Sequence, residues 1–449
     1  MEKLTVAKFG GTSVTDFDAM RRCASVIKGN DNTRLVVISA CSGVTNLLVE
    51  LANGIHQETI RQERLTTLAV IHDEVLAKLP ENTSVAQAVN ALIDDIATLA
   101  EAAATSPSTQ LTDSLVACGE LLSTHLFTHL LNTQGISAVR FDAREALRTN
   151  SLFGKATPQL VETSSLVNEK LRPLCERQVV VTQGFIGADD KGNTTTLGRG
   201  GSDYSAALLA EALHADTLEI WTDVPGIYTT DPRVAPNAKP ISEISFSEAS
   251  EMANFGAKIL HPSTLLPAMR QEIPVFVGSS KAPQQGGTWI RKTAQRSPLL
   301  RALALRSNQT MVTLNSLNMF HAYGFLAEVF NVLARHQISV DLISTSEVSV
   351  SLTLDQTDTG GGAPTLPDAA LEELSALCTV KVEHGLSLVA LIGNHMGETR
   401  GTASKIFGAM DQFNVRLICS GASDHNMCFL VNEEDSKPVI QALHERLFE

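Results

Sequence analysis

Short, largely apolar runs recur along the first two-thirds of the chain, each followed by a glycine-rich turn or a segment with helical spacing. Leu4 to Phe9 ends in Lys8-Phe9-Gly10-Gly11-Thr12-Ser13, and Phe17, Met20, Ala24 and Ile27 then follow at the spacing of one helix face. Arg34 to Ala40 repeats the pattern, with Ser42 to Asn46 opening the next helix. Further strands are predicted at 138–141, 179–187, 217–221 and 273–277. Strands apolar on both faces that alternate with helices belong to a mainly parallel sheet sandwiched by helices, an α/β fold. Residues 57–131 depart from this alternation. Their spacing is helical throughout, broken at Asn82 and Thr105–Ser108, and predicts an all-helical lobe.

Residues 283–299, rich in Pro, Gln, Gly and basic side chains, read as a linker. Beyond them the pattern changes to a repeat. Gly324-Phe325-Leu326-Ala327-Glu328-Val329-Phe330 followed by Ile338–Ile343 returns as Gly401-Thr402-Ala403-Ser404-Lys405-Ile406-Phe407 followed by Val415–Ile418. Phe330 and Phe407 lie 407 − 330 = 77 positions apart. Each copy predicts helix, strand, strand and helix, so a small α+β unit is present twice.

At 449 residues the chain predicts two or three domains. With 35 basic against 49 acidic side chains, its net charge of −14 argues against nucleic acid or an anionic membrane as the main partner. Seven scattered cysteines without a C-x-x-C pair read as buried thiols in a reducing compartment. No signal-peptide pattern and no apolar run of roughly 20 residues is present, so a soluble, cytoplasmic protein is expected.

Four segments carry chemistry. In Thr194–Tyr204, Gly198, Gly200 and Gly201 surround Arg199 and lead into the helical run that follows, with Ser202 or Asp203 expected to cap the helix start. A helix start favours an anion, and an arginine fork suits a carboxylate or phosphate. The loop matches neither G-x-x-x-x-G-K-[ST] nor G-x-G-x-x-G, and alone it could be a tight turn with a solvated arginine. The others are Lys8 before Gly10-Gly11, Trp221–Arg233, and Phe255–Pro262 around Lys258. Two lysines beside glycines and an anion-binding helix start suit phosphoryl transfer, where catalysis is mostly positioning and charge neutralisation. His125 and His129 stand at i and i+4, but Leu126 replaces the glutamate of H-E-x-x-H and no third ligand is evident, so no protein-held metal is expected.

Together the four segments resemble the signatures of aspartate kinases in the amino-acid kinase superfamily, and the similarity covers nearly the whole chain. The repeat resembles their paired ACT modules, and Ser339–Leu354 is most similar to the lysine-sensitive, monofunctional class. The resemblance implies an amino-acid kinase domain at 1–292 and a tandem ACT regulatory domain at 293–449. The first module is expected at about 311–385, the second at about 386–449 with a strand near 300–306. No homoserine dehydrogenase domain is expected after Glu449.

The implied reaction is ATP plus L-aspartate giving ADP and 4-phospho-L-aspartate, the first step toward lysine, threonine and methionine, with Mg²⁺ arriving on ATP. Lys8, Lys258 and Asp203 are the implied catalytic residues. Ser39, Thr45, Glu120, Arg199 and Ser202 would hold aspartate, with Arg199 on the α-carboxylate and Glu120 on the ammonium. Lys8, Gly10, Gly11, Thr222, Asp223, Tyr228, Arg233 and Lys258 would hold ATP. The attacking carboxylate is ionised at neutral pH and needs no general base.

L-lysine is the implied inhibitor, bound at Met319, Gly324, Phe325, Leu326, Ser339, Val340, Asp341, Thr345, Ser346 and Glu347. The modules imply a homodimer, with tetramers as a further option. The rival readings are another amino-acid kinase, a threonine-sensitive or unregulated aspartate kinase, and a non-catalytic amino-acid sensor.

Overall fold

The computed structural model describes all residues except 1–2, 257–259, 261, 317–318, 320–322, 356–362 and 449. The chain divides into two compact units, the first comprising Met1–Ile227, Ile241–Phe246 and Ile259–Ala294, the second Tyr228–Pro240, Ser247–Lys258 and Gln295–Glu449.

The first unit is built on an eight-stranded sheet. Its strands are β1 (Thr5–Phe9), β2 (Thr33–Ile38), β3 (Ala138–Phe141), β4 (Val179–Gln183), β5 (Thr217–Thr222), β6 (Glu243–Ser245), β7 (Val275–Ser279) and β8 (Gly287–Arg291), in the spatial order β6-β8-β7-β5-β1-β2-β4-β3. Every pairing is parallel except β7 with β8. β1 and β4 are buried along their whole length, the property that made their sequences apolar on both faces. Two expectations change here. The stretch read as a linker contains β8, which adds to the sheet rather than bridging away from it. The strand expected over 179–187 ends at Gln183, because Phe185 turns through φ 69° and Ile186–Ala188 pairs instead with Thr194–Thr196.

The helical lobe follows its predicted breaks. It begins after α1 (Phe17–Lys28) and runs through α2 (Val44–Ala52), α3 (Glu58–Leu76), α4 (Thr83–Thr105) and α5 (Thr109–Thr133). Asp16 caps α1 by accepting from the Ala19 amide, and Ser108 caps α5 by accepting from Leu111. α5 is the most enclosed of these helices: Leu115, Leu122, Leu126 and Phe127 are fully buried beneath the sheet and α2. Its approach is closer than side chains normally allow. A Cβ on Gly119 would lie 2.9 Å from Ala40 Cβ, 3.1 Å from Leu48 and 3.2 Å from Val44.

α6 (Gly201–Leu213) starts at Gly200, which adopts φ 72° and makes no side-chain cap bond. The expectation that Ser202 or Asp203 caps this helix is therefore corrected: both sit in its first turn, and the left-handed glycine brings the chain in.

The second unit carries α7 (Phe246–Asn254) from Ser247 onward and an antiparallel sheet. Its strands are β9 (Leu300–Asn315), β10 (Val340–Thr345), β11 (Ser349–Leu354), β12 (Thr379–Gly393), β13 (Val415–Ser420) and β14 (Asn426–Asn432), ordered β10-β11-β9-β12-β14-β13. The repeat is visible as α8 (Phe325–Arg335) and α9 (Asp368–Leu377) against α10 (Thr402–Ala409) and α11 (Ser436–Leu447), each pair over its own apolar cluster. Gly324 and Gly401 start α8 and α10 with the same left-handed φ, 87° and 80°. β9 and β12 are long enough to serve both halves: Leu300–Arg306 pairs with Leu388–Gly393, and Met311–Asn315 with Thr379–Glu383.

Gly119→Val puts two methyl groups into this closed contact and should cost about 1–3 kcal/mol, read as a lower urea midpoint at unchanged slope. An unchanged midpoint would mean that α5 is not held by close approach.

Candidate active site and effector face

Within the first unit, the sequence-predicted groups gather at the C-terminal ends of parallel strands, the usual ligand position of an open α/β sheet. Lys8 is the fourth residue of β1 and only 8% exposed. Its Nζ pairs with Asp203 Oδ1 at 2.5 Å and lies 3.4 Å from where a Gly10 Cβ would be. Gly11 follows, and a Cβ there would meet the Ala40 carbonyl at 2.8 Å. Glycine at 10 and 11 thus leaves room for Lys8 and lets the turns after β1 and β2 touch.

Glu120 reaches the same region from α5. One oxygen accepts from the Ala40 amide at 3.2 Å; the other is buried without a hydrogen-bond partner. Burial pushes the Glu120 carboxyl up to about 8, against the opposing pull of the Ala40 amide and the Lys8 charge. Ser39 follows β2, and its carbonyl accepts from Ser123 Oγ at 2.8 Å. Thr45 is half-buried in the first turn of α2.

The glycine-rich loop comes in from Thr194–Thr196. Gly198 and Gly200 both have positive φ, and Arg199 between them is exposed. Ser202 packs on the end of β4, where a Cβ on Gly184 would come within 2.6 Å of its own Cβ. At the end of β5, Thr222 Oγ1 and Asp223 Oδ1 are 3.2 Å apart and Asp223 is exposed. Ser13, at the end of the Lys8–Ser13 segment, and Ser280, which carries no motif signal, link their hydroxyls at 2.6 Å beside the Trp221 carbonyl.

Tyr228 and Arg233 belong to the second unit. Tyr228 is half-buried, and Arg233 is an exposed side chain paired with Asp231 at 2.6 Å. Lys258 lies outside the described residues. His125 and His129 form no pair of ligands: His129 Nε2 contacts the Pro80 carbonyl at 2.7 Å, and burial with nearby Arg140 lowers His125 to about 4.

On the face expected to bind the effector, Met319 packs against the cluster under α8, and Gly324 precedes Phe325 and the half-exposed Leu326 at the helix start. Ser339 donates to Asp355 at 3.2 Å, while Val340 begins β10. Thr345, Ser346 and Glu347 are exposed, with Ser346 Oγ 2.6 Å from Ser349 Oγ. Asp341 is already occupied by a cation: its carboxylate pairs with the Arg306 guanidinium, which also reaches the Asn254 carbonyl at the end of α7. α7 itself is tied into this unit by Glu248, fully buried and bonded to Arg301 and to Asn394, each at 2.7 Å.

A family model described as "Amino acid kinase family" matches residues 3–279, and one described as "ACT domain" matches 312–366 and 389–447. Lysine-sensitive aspartokinase 3 of Escherichia coli is 56% identical over 100% of both chains. The chain belongs to the aspartokinases of the amino acid kinase family. Aspartokinase 1 of Arabidopsis thaliana, chloroplastic, is 34% identical over 99% of this aspartokinase and 80% of its own length. Among solved structures, E. coli aspartokinase III with aspartate and ADP in the R-state superposes with a TM-score of 0.92 at 56% identity, covering 100% of both chains. The T-state complex with lysine and aspartate gives 0.84 at 55% identity, covering 99% of this chain and 100% of that one.

The raised Glu120 fixes the sign of one pH effect in the ligand-free aspartokinase. A carboxyl whose folded pKa exceeds its unfolded value near 4.5 favours folding at low pH, and that contribution is lost as pH rises through about 8. Glu120→Gln should match the parent near pH 5 and exceed it by on the order of 3 kcal/mol at pH 8.5 in urea unfolding. Equal pH dependence of the two would contradict the burial argument.

Proposed function

We propose that this aspartokinase transfers the γ-phosphoryl group of ATP to the side-chain carboxylate of L-aspartate and is inhibited by L-lysine. Residues 1–292 act as the catalytic domain and 293–449 as the regulatory one. The observation that carries the reading is Glu120: a buried carboxylate with an unpartnered oxygen, brought by α5 to the strand ends near Lys8, is a seat for a substrate ammonium.

In this reading Arg199 takes the α-carboxylate in a bidentate pair, and Ser39, Thr45 and Ser202 supply hydroxyls around the substrate. The aspartate β-carboxylate oxygen attacks the γ-phosphorus in line as the bond to the β–γ bridging oxygen breaks. Lys8, with the Gly11 amide, neutralises the charge that spreads over the moving group, while the Gly10 amide, expected to share this role, donates instead to the Trp221 carbonyl at 3.2 Å; Asp203 holds the Lys8 ammonium in place. Lys258 is the second lysine on the phosphates, while Thr222, Asp223, Tyr228 and Arg233 hold the nucleotide.

Among the described residues no group of three or more His, Cys, Asp or Glu is set to hold a metal. Asp203 offers one carboxylate beside Lys8, a donor set that fits Mg²⁺ held chiefly by the nucleotide phosphates. When bound, the ion would add positive charge to those phosphates.

Lysine occupies the face formed by Met319, Gly324–Leu326, Ser339–Asp341 and Thr345–Glu347, with Asp341 and Glu347 on its ammonium groups. Inhibition follows if lysine favours a state with lower substrate affinity. The half-exposed apolar Ile343 and Ile418 on edge strands β10 and β13 suit pairing of the modules in a homodimer. Among the described residues no helix is long and apolar enough to cross a membrane.

Hydroxylamine trapping with MgATP and L-aspartate should yield the hydroxamate, and L-lysine should suppress it. No product would overturn the kinase reading, while lysine-insensitive product would overturn the effector assignment alone. Lys8→Ala should lower kcat by on the order of 10³-fold at unchanged fold, since it removes charge stabilisation at the transferring group. Glu347→Lys should raise the lysine concentration for half-inhibition by roughly tenfold or more, as a like charge faces the effector. An unchanged value would remove Glu347 from the effector face.

A further inference from the structure

Asp113 lies on α5 seven residues before Glu120, is 1% exposed, and has no part in the phosphoryl-transfer scheme. Burying a carboxylate this fully is costly unless hydrogen bonds repay it. Here they offset part of the cost, although burial still pushes the Asp113 carboxyl above its ordinary range. The Gly154 amide donates to both oxygens, at 3.0 and 2.9 Å; the Thr196 amide donates to Oδ2 at 2.9 Å, and the Thr196 hydroxyl to Oδ1 at 2.8 Å. One side chain of α5 therefore pins two separate segments, the turn at Gly154 and the last residue of the strand Thr194–Thr196. The Ala156 amide bonds the Thr196 carbonyl at 2.8 Å and closes the arrangement.

Thr196 leads into Leu197, which is buried and whose amide donates to the Phe185 carbonyl at 2.9 Å, and then into Gly198-Arg199-Gly200. Gly198 and Gly200 both sit at positive φ, and the Gly201 amide donates to the Gly198 carbonyl at 3.0 Å, so Arg199 stands at the tip of a turn. The loop needs anchors at its ends. α6 is one, through Ser205 Oγ, which accepts from the Phe185 amide at 2.8 Å. Asp113 is the other. Seven residues are two helical turns, a rise of about 10 Å, so Asp113 and Glu120 project from the same side of one rigid rod.

We propose that Asp113 is a positioning residue for aspartate binding: it fixes the Arg199 loop relative to Glu120, so that the α-carboxylate and α-ammonium of the substrate are held at a distance set by α5. The inference rests on the reading of Arg199 and Glu120 as the substrate's holders. Asp113 touches no reacting atom and acts through Thr196 and the loop. Asparagine at 113 keeps the size but turns a donor toward one of the backbone amides, which loosens the loop without emptying the site.

The test is steady-state kinetics of the full chain with Asp113→Asn, Thr196→Val and Arg199→Ala, with 3-aminopropanoate as competitive ligand. That compound keeps the ammonium and the reacting carboxylate but lacks the α-carboxylate. For Asp113→Asn the KM for aspartate should rise roughly tenfold while the KM for ATP and the inhibition constant of 3-aminopropanoate hold steady. Thr196→Val, which removes one of the four hydrogen bonds, should shift the aspartate KM in the same direction by a smaller factor, and it decides the matter if Asp113→Asn fails to fold. A rise shared by aspartate, ATP and 3-aminopropanoate marks a merely structural role and overturns the proposal. So does an unchanged aspartate KM in a chain where Arg199→Ala raises it. If Arg199→Ala itself leaves the aspartate KM unchanged, the substrate-seat reading fails and takes this inference with it.

Discussion

The first unit depends on backbone segments approaching one another more closely than a Cβ permits. At the mouth of the sheet, Gly11 lies against the Ala40 carbonyl, Gly119 against Ala40, Leu48 and Val44, and Gly184 against Ser202. Each contact draws a different element to the same few strand ends: the turn after β1, the helix α5 and the first turn of α6. The charged groups inherit that closeness. Lys8 and Asp203 come from elements nearly two hundred residues apart yet meet at 2.5 Å, and Glu120 sits dry beside the Ala40 amide. In such a low-dielectric setting each charge interacts more strongly than it would in water, and this gives a few fixed groups leverage over a highly charged transfer.

The sequence revealed some of this directly, and for physical reasons. Strands buried on both faces must be largely apolar, so β1, β2 and β4 stood out, and the breaks at Asn82 and Thr105–Ser108 marked the helical lobe. Lys8, Glu120 and Arg199 were legible as charges inside glycine-rich or apolar segments, although their roles entered through family resemblance. Asp113 was not legible. It is one acid in a polar-looking helix start, and only the fold shows three donors converging on it from residues 154 and 196. β8 was missed because Pro283, Gln284, Gln285 and Gly286 dominate its surroundings, while a short strand at the side of a sheet carries little periodic signal. The cap of α6 was misassigned because a serine or aspartate near a helix start normally caps it; here a left-handed Gly200 does the turning.

The second unit joins pieces from distant parts of the chain. Glu248 is buried without exposure, which would be unfavourable for a lone carboxylate, and the Arg301 guanidinium and Asn394 amide supply its compensation. The same unit holds Arg306, whose guanidinium bridges Asp341 and the last carbonyl of α7. Four residues after Asn254 comes Lys258, and the segment of chain leading to it passes Gly256, where a Cβ would stand 3.2 Å from Arg306 Cβ.

β9 and β12 run through both copies of the repeat, with a register irregularity near Arg306–Met311 where the copies meet, each contributing one half of its length to either copy. The two modules are therefore interleaved rather than strung in series: neither can be excised, exchanged or transplanted by cutting at a single point. Each cut would leave the remaining sheet with a missing member and an open row of amides and carbonyls.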